Sequence, residues 1–127
     1  MGKREIIAIL LVIICTAVAV LAVFAYRSHL KSPNTVELLA RAPERGNWSP
    51  RILQVEKGKE INLVIKNVDT VTHGFYCPTF DLLAKEIKAG EVETLTFVAD
   101  KEGEFPFYCA VWCSNHHMQM TGTLVVK

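Results

Sequence analysis

Four side chains that bind soft metal ions follow one another within twelve residues of this sequence. Cys109, Cys113, His117 and Met120 form the pattern CxxxCxxxHxxM. Thiolate and thioether sulfur prefer Cu(I), and imidazole binds either oxidation state of copper. The spacing therefore indicates a copper site on a loop that joins two predicted strands.

His73 is a fifth candidate ligand, from a separate part of the chain. Strand alternation in the segment Val71-Thr-His73-Gly-Phe75 places it on the same face as Val71 and Phe75, so we expect it to point inward. A histidine on an apolar face is more often a core residue than a ligand. The pattern of ligands downstream reverses that expectation here.

The same residue types leave other sites open. A structural zinc site of two Cys and two His would use four of the five candidates and leave Met120 without a role. A mononuclear copper site would leave one Cys without a role, and an oxidising compartment would allow a disulfide between Cys109 and Cys113. A copper chaperone or thiol oxidoreductase of thioredoxin-like fold also combines CxxxC with a distant His, but its cysteine pair begins a helix.

Short strands are the elements that must position these residues. Beyond residue 50, apolar residues recur with period two, and Gly-containing turns such as Lys57-Gly58 and Ala89-Gly90 separate the runs. The clearest runs are 61–66, 95–98, 105–109 and 121–126. Seven or so short strands, without an amphipathic helix of ten residues, predict an all-β sandwich over residues 51–127.

Residues 31–50 have a loop-like composition, with Pro33, Pro43, Gly46 and Pro50, and are predicted to be a juxtamembrane linker. Within them, Ser32-Pro33 is a helix-start signal and Pro43 is a stop signal. These two signals predict a short helix over residues 35–41.

Residues 6–26 form an apolar run in which Thr16 is the one polar interruption. At about 1.5 Å per helical residue they span roughly 31 Å, the thickness of a bilayer's hydrocarbon core. The run exceeds the roughly 7 to 15 residues of a signal h-region, so we interpret residues 1–30 as a retained membrane anchor, with a cleaved signal as the alternative. Either interpretation places the β domain outside the cytoplasm, and Cys15 is then a lipid-facing or packing thiol.

Composition excludes several classes of protein. Half of the 127 residues are apolar, which is too many for a disordered chain. The 14 basic and 13 acidic side chains give a net charge near +1, so nothing indicates a nucleic-acid partner. The length fits one domain and is too short for a two-lobed enzyme.

The ligand pattern over residues 51–127 resembles the CuA domain, the cupredoxin module of cytochrome oxidase subunit II and of nitrous oxide reductase. Residues 97–109 and 117–120 look closer to the reductase version. The resemblance implies a cupredoxin-like Greek-key β-sandwich that holds two copper ions. The thiolates of Cys109 and Cys113 would bridge the two ions, and His73 and His117 would each bind one of them.

The resemblance also implies two weak ligands. Met120 would be one, and the main-chain carbonyl of Val111 would be the other. The family usually has Glu or Trp at this position, whereas here Trp112 is displaced by one residue. A carbonyl ligand does not depend on its side chain, so we expect binding to survive the difference.

The function implied is electron transfer at a membrane, without independent catalysis. Single electrons would pass from a cytochrome c or a small copper protein to a membrane oxidase, as a subunit II-like chain, or to a reductase. The copper domain would lie on the outer side of the cell membrane. We expect four aromatic residues in the sandwich core, where they would also keep water from the site: Phe75, Phe105, Phe107 and Trp112. We expect Cys77 to be a buried thiol and His116 to be exposed.

Overall fold

The computed structural model describes residues 2–30 and 34–127, without the side chains of 28–30. The chain divides into two compact units between residues 33 and 34. The first unit is one helix and the second is a β domain.

The first unit is the helix α1, Lys3–Leu30. Its segment Lys3–Arg27 contains an 18-residue window with a mean hydropathy of 3.3 and is long and apolar enough, by length and composition, to cross a membrane. The hydroxyl of Thr16 donates to the carbonyl of Ile13 at 2.9 Å, so the one polar residue of the run is satisfied within the helix. The predicted apolar helix is thus confirmed.

The second unit is a sandwich of two sheets. The strands are β1 Thr35–Ala40, β2 Ile52–Val55, β3 Glu60–Asn67, β4 His73–Cys77, β5 Leu82–Ile87, β6 Val92–Val98, β7 Gly103–Tyr108 and β8 Thr121–Val126. One sheet has the order β1-β3-β6 and the other the order β2-β8-β7-β4-β5. Alternate residues of β3 are buried, as the period of two predicts: Ile61, Leu63 and Ile65 are at most 2% exposed. The prediction of an all-β cupredoxin-like sandwich is confirmed.

The predicted helix over residues 35–41 is wrong, because these residues form β1. This strand pairs in parallel with β3 from Thr35 opposite Asn62 to Ala40 opposite Asn67, and it buries Leu38 completely. An isolated helix of this length is marginal in water, whereas pairing with β3 satisfies the backbone and removes apolar side chains from water. The predicted start signal at residues 32–33 lies outside the described residues. Residues 34–50, assigned to the linker from sequence, thus contribute a strand to the folded unit.

Three strands bring the candidate ligands to one end of the sandwich. β4 begins at His73, β7 ends one residue before Cys109, and β8 begins one residue after Met120. β7 runs antiparallel to both β4 and β8. The backbone N–H of Cys109 donates to the carbonyl of Met120 at 3.1 Å and closes the base of the loop 109–120. The loop therefore lies beside the first residue of β4.

Gly74 allows β4 to approach this loop closely. A Cβ at residue 74 would lie 2.7 Å from the carbonyl oxygen of Lys85 and 2.9 Å from the Cβ of Ala110. The pairing of β4 with β5 shifts register between His73 and Phe75, so the glycine lies opposite an extra residue of β5. Both neighbours of Gly74 are buried, which confirms that His73 points inward.

Candidate metal centre

Three possible metal ligands meet in the β domain: His73, Cys109 and Cys113. One ligand atom from each lies within 4.8 Å of those of the other two, and all three residues are buried. The three other predicted site residues, Val111, His117 and Met120, lie around this group. All of them belong to the loop 109–120.

One set of donors surrounds Cys109. Its Sγ lies 3.9 Å from Nδ1 of His73 and 3.2 Å from the carbonyl oxygen of Val111. An imidazole nitrogen, a thiol and a main-chain carbonyl thus meet at the start of the loop.

A second set of donors surrounds Cys113. Its Sγ lies 3.6 Å from Nδ1 of His117 and 3.6 Å from Sδ of Met120. Each cysteine therefore has its own histidine and its own weak donor, and the two sets adjoin because the ligand atoms of His73, Cys109 and Cys113 all lie within 4.8 Å of one another.

The chemistry of these donors fits copper. Two thiols, a thioether and two imidazoles are the soft and borderline ligands that copper prefers. A tetrahedral zinc site would not explain why Met120 Sδ contacts Cys113. None of the four cysteines forms a disulfide in the structure, so both thiols are available. The thioredoxin-like alternative is wrong, because the cysteine pair follows β7 of a sandwich and no helix begins there.

Asp69 orients His73 toward Cys109. Its Oδ2 lies 3.0 Å from Nε2 of His73, on the side of the ring opposite the atom that faces Cys109. A hydrogen bond from Nε2–H to the carboxylate leaves Nδ1 as the atom with the free lone pair. Burial opposes a charge on the ring, but the hydrogen bonds to Cys109 and Asp69 raise the pKa of His73 above its usual value.

Asp69 is itself held by donors other than His73. Its carboxylate accepts hydrogen bonds from the backbone N–H of Ala42 at 2.7 Å, from that of Thr70 at 2.7 Å, and from Nε and Nη2 of Arg45 at 2.8 and 3.0 Å. Burial disfavours the charged carboxylate, but the bonds from Arg45, Ala42, His73 and Thr70 outweigh it and hold the pKa of Asp69 well below its usual value. The carboxylate is therefore a fixed negative charge behind His73.

The two thiols differ in their proton affinity. Burial raises the pKa of Cys109, but hydrogen bonds with His73 and with the backbone of Gly74 outweigh it and lower the pKa below that of a free thiol. Burial and the charge of the neighbouring Cys109 raise the pKa of Cys113. The pair therefore loses its first proton at Cys109, and the second proton is held more tightly.

The segment 44–48 contacts both ligand-bearing parts of the chain. On one side, Arg45 holds Asp69 and thereby His73. On the other side, the carboxylate of Glu44 accepts a hydrogen bond from the hydroxyl of Ser114 at 3.1 Å, next to Cys113 in sequence.

Two further residues of the segment 44–48 bind the end of the loop 109–120. Nδ2 of Asn47 donates to the carbonyl of Gln119 at 2.9 Å, and Nε1 of the buried Trp48 donates to the carbonyl of Met120 at 3.2 Å. Nothing in the local pattern of the sequence reveals these contacts. The one available signal is an Asn and a Trp within a stretch otherwise rich in Pro and Gly.

The aromatic surroundings match the prediction for the core residues. Phe75 and Phe107 are at most 1% exposed, and their ring centroids lie 5.9 and 5.8 Å from that of Trp48. Phe105 is half-buried against the same core. A dry aromatic wall therefore underlies the site.

Trp112 does not belong to this wall, and its prediction as a core residue is wrong. Its side chain is 68% exposed because it lies on the outer part of the loop, where its ring centroid is 5.5 Å from that of His117. Cys77 is fully buried and the side chain of His116 is 55% exposed, which confirms both expectations.

Comparison with known proteins agrees with this architecture. Residues 14–126 match the family described as Cupredoxin-like domain. Nitrous-oxide reductase of Ralstonia nicotianae is 35% identical over 73% of this chain, which spans 14% of that protein's length. Cytochrome c oxidase subunit 2 of Thermus thermophilus is 32% identical over 63% of this chain, and the match covers 58% of that protein's length.

A solved structure has the same fold. The periplasmic domain of cytochrome oxidase subunit II of Bradyrhizobium japonicum matches with a TM-score of 0.64 and 20% identity, over 76% of this chain and 86% of that one. The family match, which covers most of the chain, agrees with the observed two-sheet sandwich. The chain belongs to the cupredoxin-like domain family and is related to nitrous-oxide reductase and to subunit 2 of cytochrome c oxidase.

Proposed function

We propose that this chain is a membrane-anchored electron-transfer protein with a dinuclear CuA copper centre. It would relay single electrons from a cytochrome c or a small copper protein to a membrane oxidase, as a subunit II-like chain, or to a reductase. One observation carries the proposal: the donors form two sets, each with one histidine, one cysteine and one weak donor.

Two copper ions bound here would supply a one-electron couple. Cys109, Cys113, His73 and His117 would hold them. The four side chains come from the start of β4 and from a loop closed between β7 and β8, so the surrounding strands resist movement. Rigid ligands keep the reorganisation energy of electron transfer small, since the geometry need not change with oxidation state.

Burial gives the proposed centre one accessible side. Cys109, Cys113 and His73 are at most 8% exposed, whereas His117 is half-buried. The exposed ring of Trp112 lies against His117. Electrons would therefore pass between this chain and a partner over the surface formed by these two residues.

We propose that α1 anchors the protein in the lipid bilayer, with the copper domain on the outer side of the cell membrane. Support comes from the length and hydropathy of α1 and from the relative whose oxidase domain is periplasmic. Carbonate extraction of membranes and protease treatment of intact spheroplasts test this arrangement. The protein should remain in the membrane pellet, and the β domain should be digested from the outer side. A chain released by carbonate, or a protected β domain, would contradict it.

The copper centre is tested by loading the full chain in detergent and measuring copper per chain and the electron paramagnetic resonance spectrum. We expect two copper ions per chain and hyperfine splitting from two equivalent nuclei. Cys113→Ala should abolish this signal. Cys77→Ala removes an equally buried thiol outside the site and should leave it unchanged.

Other results would identify another function. One copper per chain with splitting from one nucleus would indicate a mononuclear cupredoxin. Transfer of Cu(I) to an apo-acceptor, without electron exchange with cytochrome c, would indicate a copper-delivery protein. Tight zinc binding without copper uptake would indicate a structural site.

A further inference from the structure

Met118 is the most exposed large apolar residue of the β domain, with 80% of its surface accessible to solvent. It lies in a short 3₁₀ helix, His117–Gln119, between two of the proposed copper ligands. Its side chain contributes little to the core, so the fold does not explain it.

Met118 lies at the edge of a small cavity that reaches the proposed copper site. The cavity has a volume of about 130 Å³ and is lined by Tyr108, Cys109, His117, Met118, Met120 and Thr121. Cys109 and Met120 are 6% and 1% exposed, so they form its inner wall. An ion that enters through this cavity meets Met118 at its exposed edge before it meets Cys109 and Met120 on the inner wall.

The donors along this cavity differ in strength. A thioether binds Cu(I) and carries no proton, so it accepts the ion without first ionising. A thiolate binds Cu(I) more strongly than a thioether does. A Cu(I) ion held at Met118 would therefore move inward, toward Cys109.

We propose that Met118 is a docking ligand for incoming Cu(I), which loads the buried site through this cavity. The inference rests on the proposed copper function. Copper remains Cu(I) throughout, because only ligands are exchanged: the thioether is released as the thiolate of Cys109 binds, and the thiol proton passes to solvent. Met118 is needed during loading and is not a ligand of the loaded centre.

The test measures the rate at which the full apo-chain in detergent removes Cu(I) from its bicinchoninate complex, by stopped-flow absorbance. Met118→Leu keeps an exposed apolar side chain of similar size but removes the sulfur. We expect loading to slow by about fivefold, or about 1 kcal/mol of activation free energy. The final copper content should be unchanged, as should the spectrum after oxidation with ferricyanide.

A second variant controls for the number of exposed thioethers. Val98 is 50% exposed and pairs with Glu60, at the end of β3 farthest from Asn67 and the site. The double variant Met118→Leu/Val98→Met restores the Met count at that distant position and should load as slowly as Met118→Leu. Recovery of the wild-type rate would mean that any surface thioether suffices, which overturns the proposal.

Two further outcomes would also overturn it. An unchanged loading rate in Met118→Leu would mean that its sulfur has no part in uptake. A lower final copper content in this variant would make Met118 a ligand of the loaded centre. A wild-type endpoint other than two copper ions would instead refute the dinuclear centre, and the rate comparison would still test Met118.

Discussion

Replacing Asp69 by Asn removes the negative charge behind His73 and keeps the shape of the side chain. Oδ2 accepts hydrogen bonds from the backbone of Ala42 and from Nη2 of Arg45 and contacts Nε2 of His73. Oδ1 accepts from Nε of Arg45 and from the backbone of Thr70. Whichever oxygen becomes the amide NH₂ then faces at least two donors. At least two hydrogen bonds are lost in either orientation.

The size of the effect follows from these contacts. Hydrogen bonds to a charged group contribute about 1.5–3 kcal/mol each, so two of them give about 3–6 kcal/mol. Arg45 is 45% exposed and can turn toward water, which favours the lower end, about 3 kcal/mol. Loss of a carboxylate that orients a metal-binding histidine lowers metal affinity by about 10- to 100-fold. We expect both effects from Asp69→Asn.

The dependence on pH distinguishes the lost charge from lost packing. The pKa of Asp69 is lower in the folded chain than in the unfolded chain. Its charge therefore stabilises the fold above the unfolded pKa of about 4, and that stabilisation is lost as the pH falls further. The difference in unfolding free energy between wild type and Asp69→Asn should grow as the pH falls from 8 to about 6, because the bond to Asp69 raises the pKa of His73, and should then stay constant to about pH 5. It should shrink below about pH 4.

Urea unfolding of the apo-chain and competition with bicinchoninate for Cu(I) measure the two effects. Asp100→Asn is the matched control, because Asp100 is exposed and follows Ala99, whose backbone bonds to Gly58 and Lys59 beside the end of β3 farthest from Asn67. It should change neither quantity appreciably. If Asp69→Asn had the same unfolding free energy and the same Cu(I) affinity as Asp100→Asn, the assignment of Asp69 as the residue that orients His73 would be refuted.

Three other predictions follow from the geometry of the site. Apparent Cu(I) affinity should rise between pH 6 and pH 8, by about tenfold per pH unit for each proton released. The reason is that burial and the neighbouring thiolate raise the pKa of Cys113. An affinity independent of pH in chelator competition would contradict this. Gly122→Ala should destabilise the fold by about 1–3 kcal/mol, since its Cβ would overlap Cζ of the buried Phe107, and an unchanged melting temperature would argue against that contact. Trp48→Phe should lower the free energy of unfolding by about 1–2 kcal/mol through the lost hydrogen bond to Met120, and it should shift the reduction potential of the loaded protein. An unaltered potential would mean that this bond does not influence the site.

The sequence predicted those parts of the fold that depend on local patterns. Alternation of apolar residues in β3 reflects burial of one strand face, and the turn glycines adopt the positive φ angles that such turns require, as at Gly58 and Gly90. The helix prediction over residues 35–41 failed because start and stop signals act locally, whereas β1 is stabilised by its distant partner β3.

The candidate ligands were predictable because metal chemistry restricts both residue type and spacing. Their supporting contacts were not, since Arg45 and Asp69 are 24 residues apart and nothing in either neighbourhood indicates the other. The prediction for Trp112 failed because the sequence does not reveal the path of the loop. An aromatic residue between two cysteines is expected in the core, but the path of the loop turns its ring toward solvent.

The bonds from Asn47 and Trp48 each join residues that are 72 positions apart. Closing so long a loop costs conformational entropy before any ligand can be held in position, so the complete ligand set exists only in the folded chain. Copper bound to that set would stabilise the native state by mass action, in proportion to the logarithm of free copper over its dissociation constant. The copper supply of the cell would then set how long each molecule survives proteolysis, as well as how many molecules carry electrons.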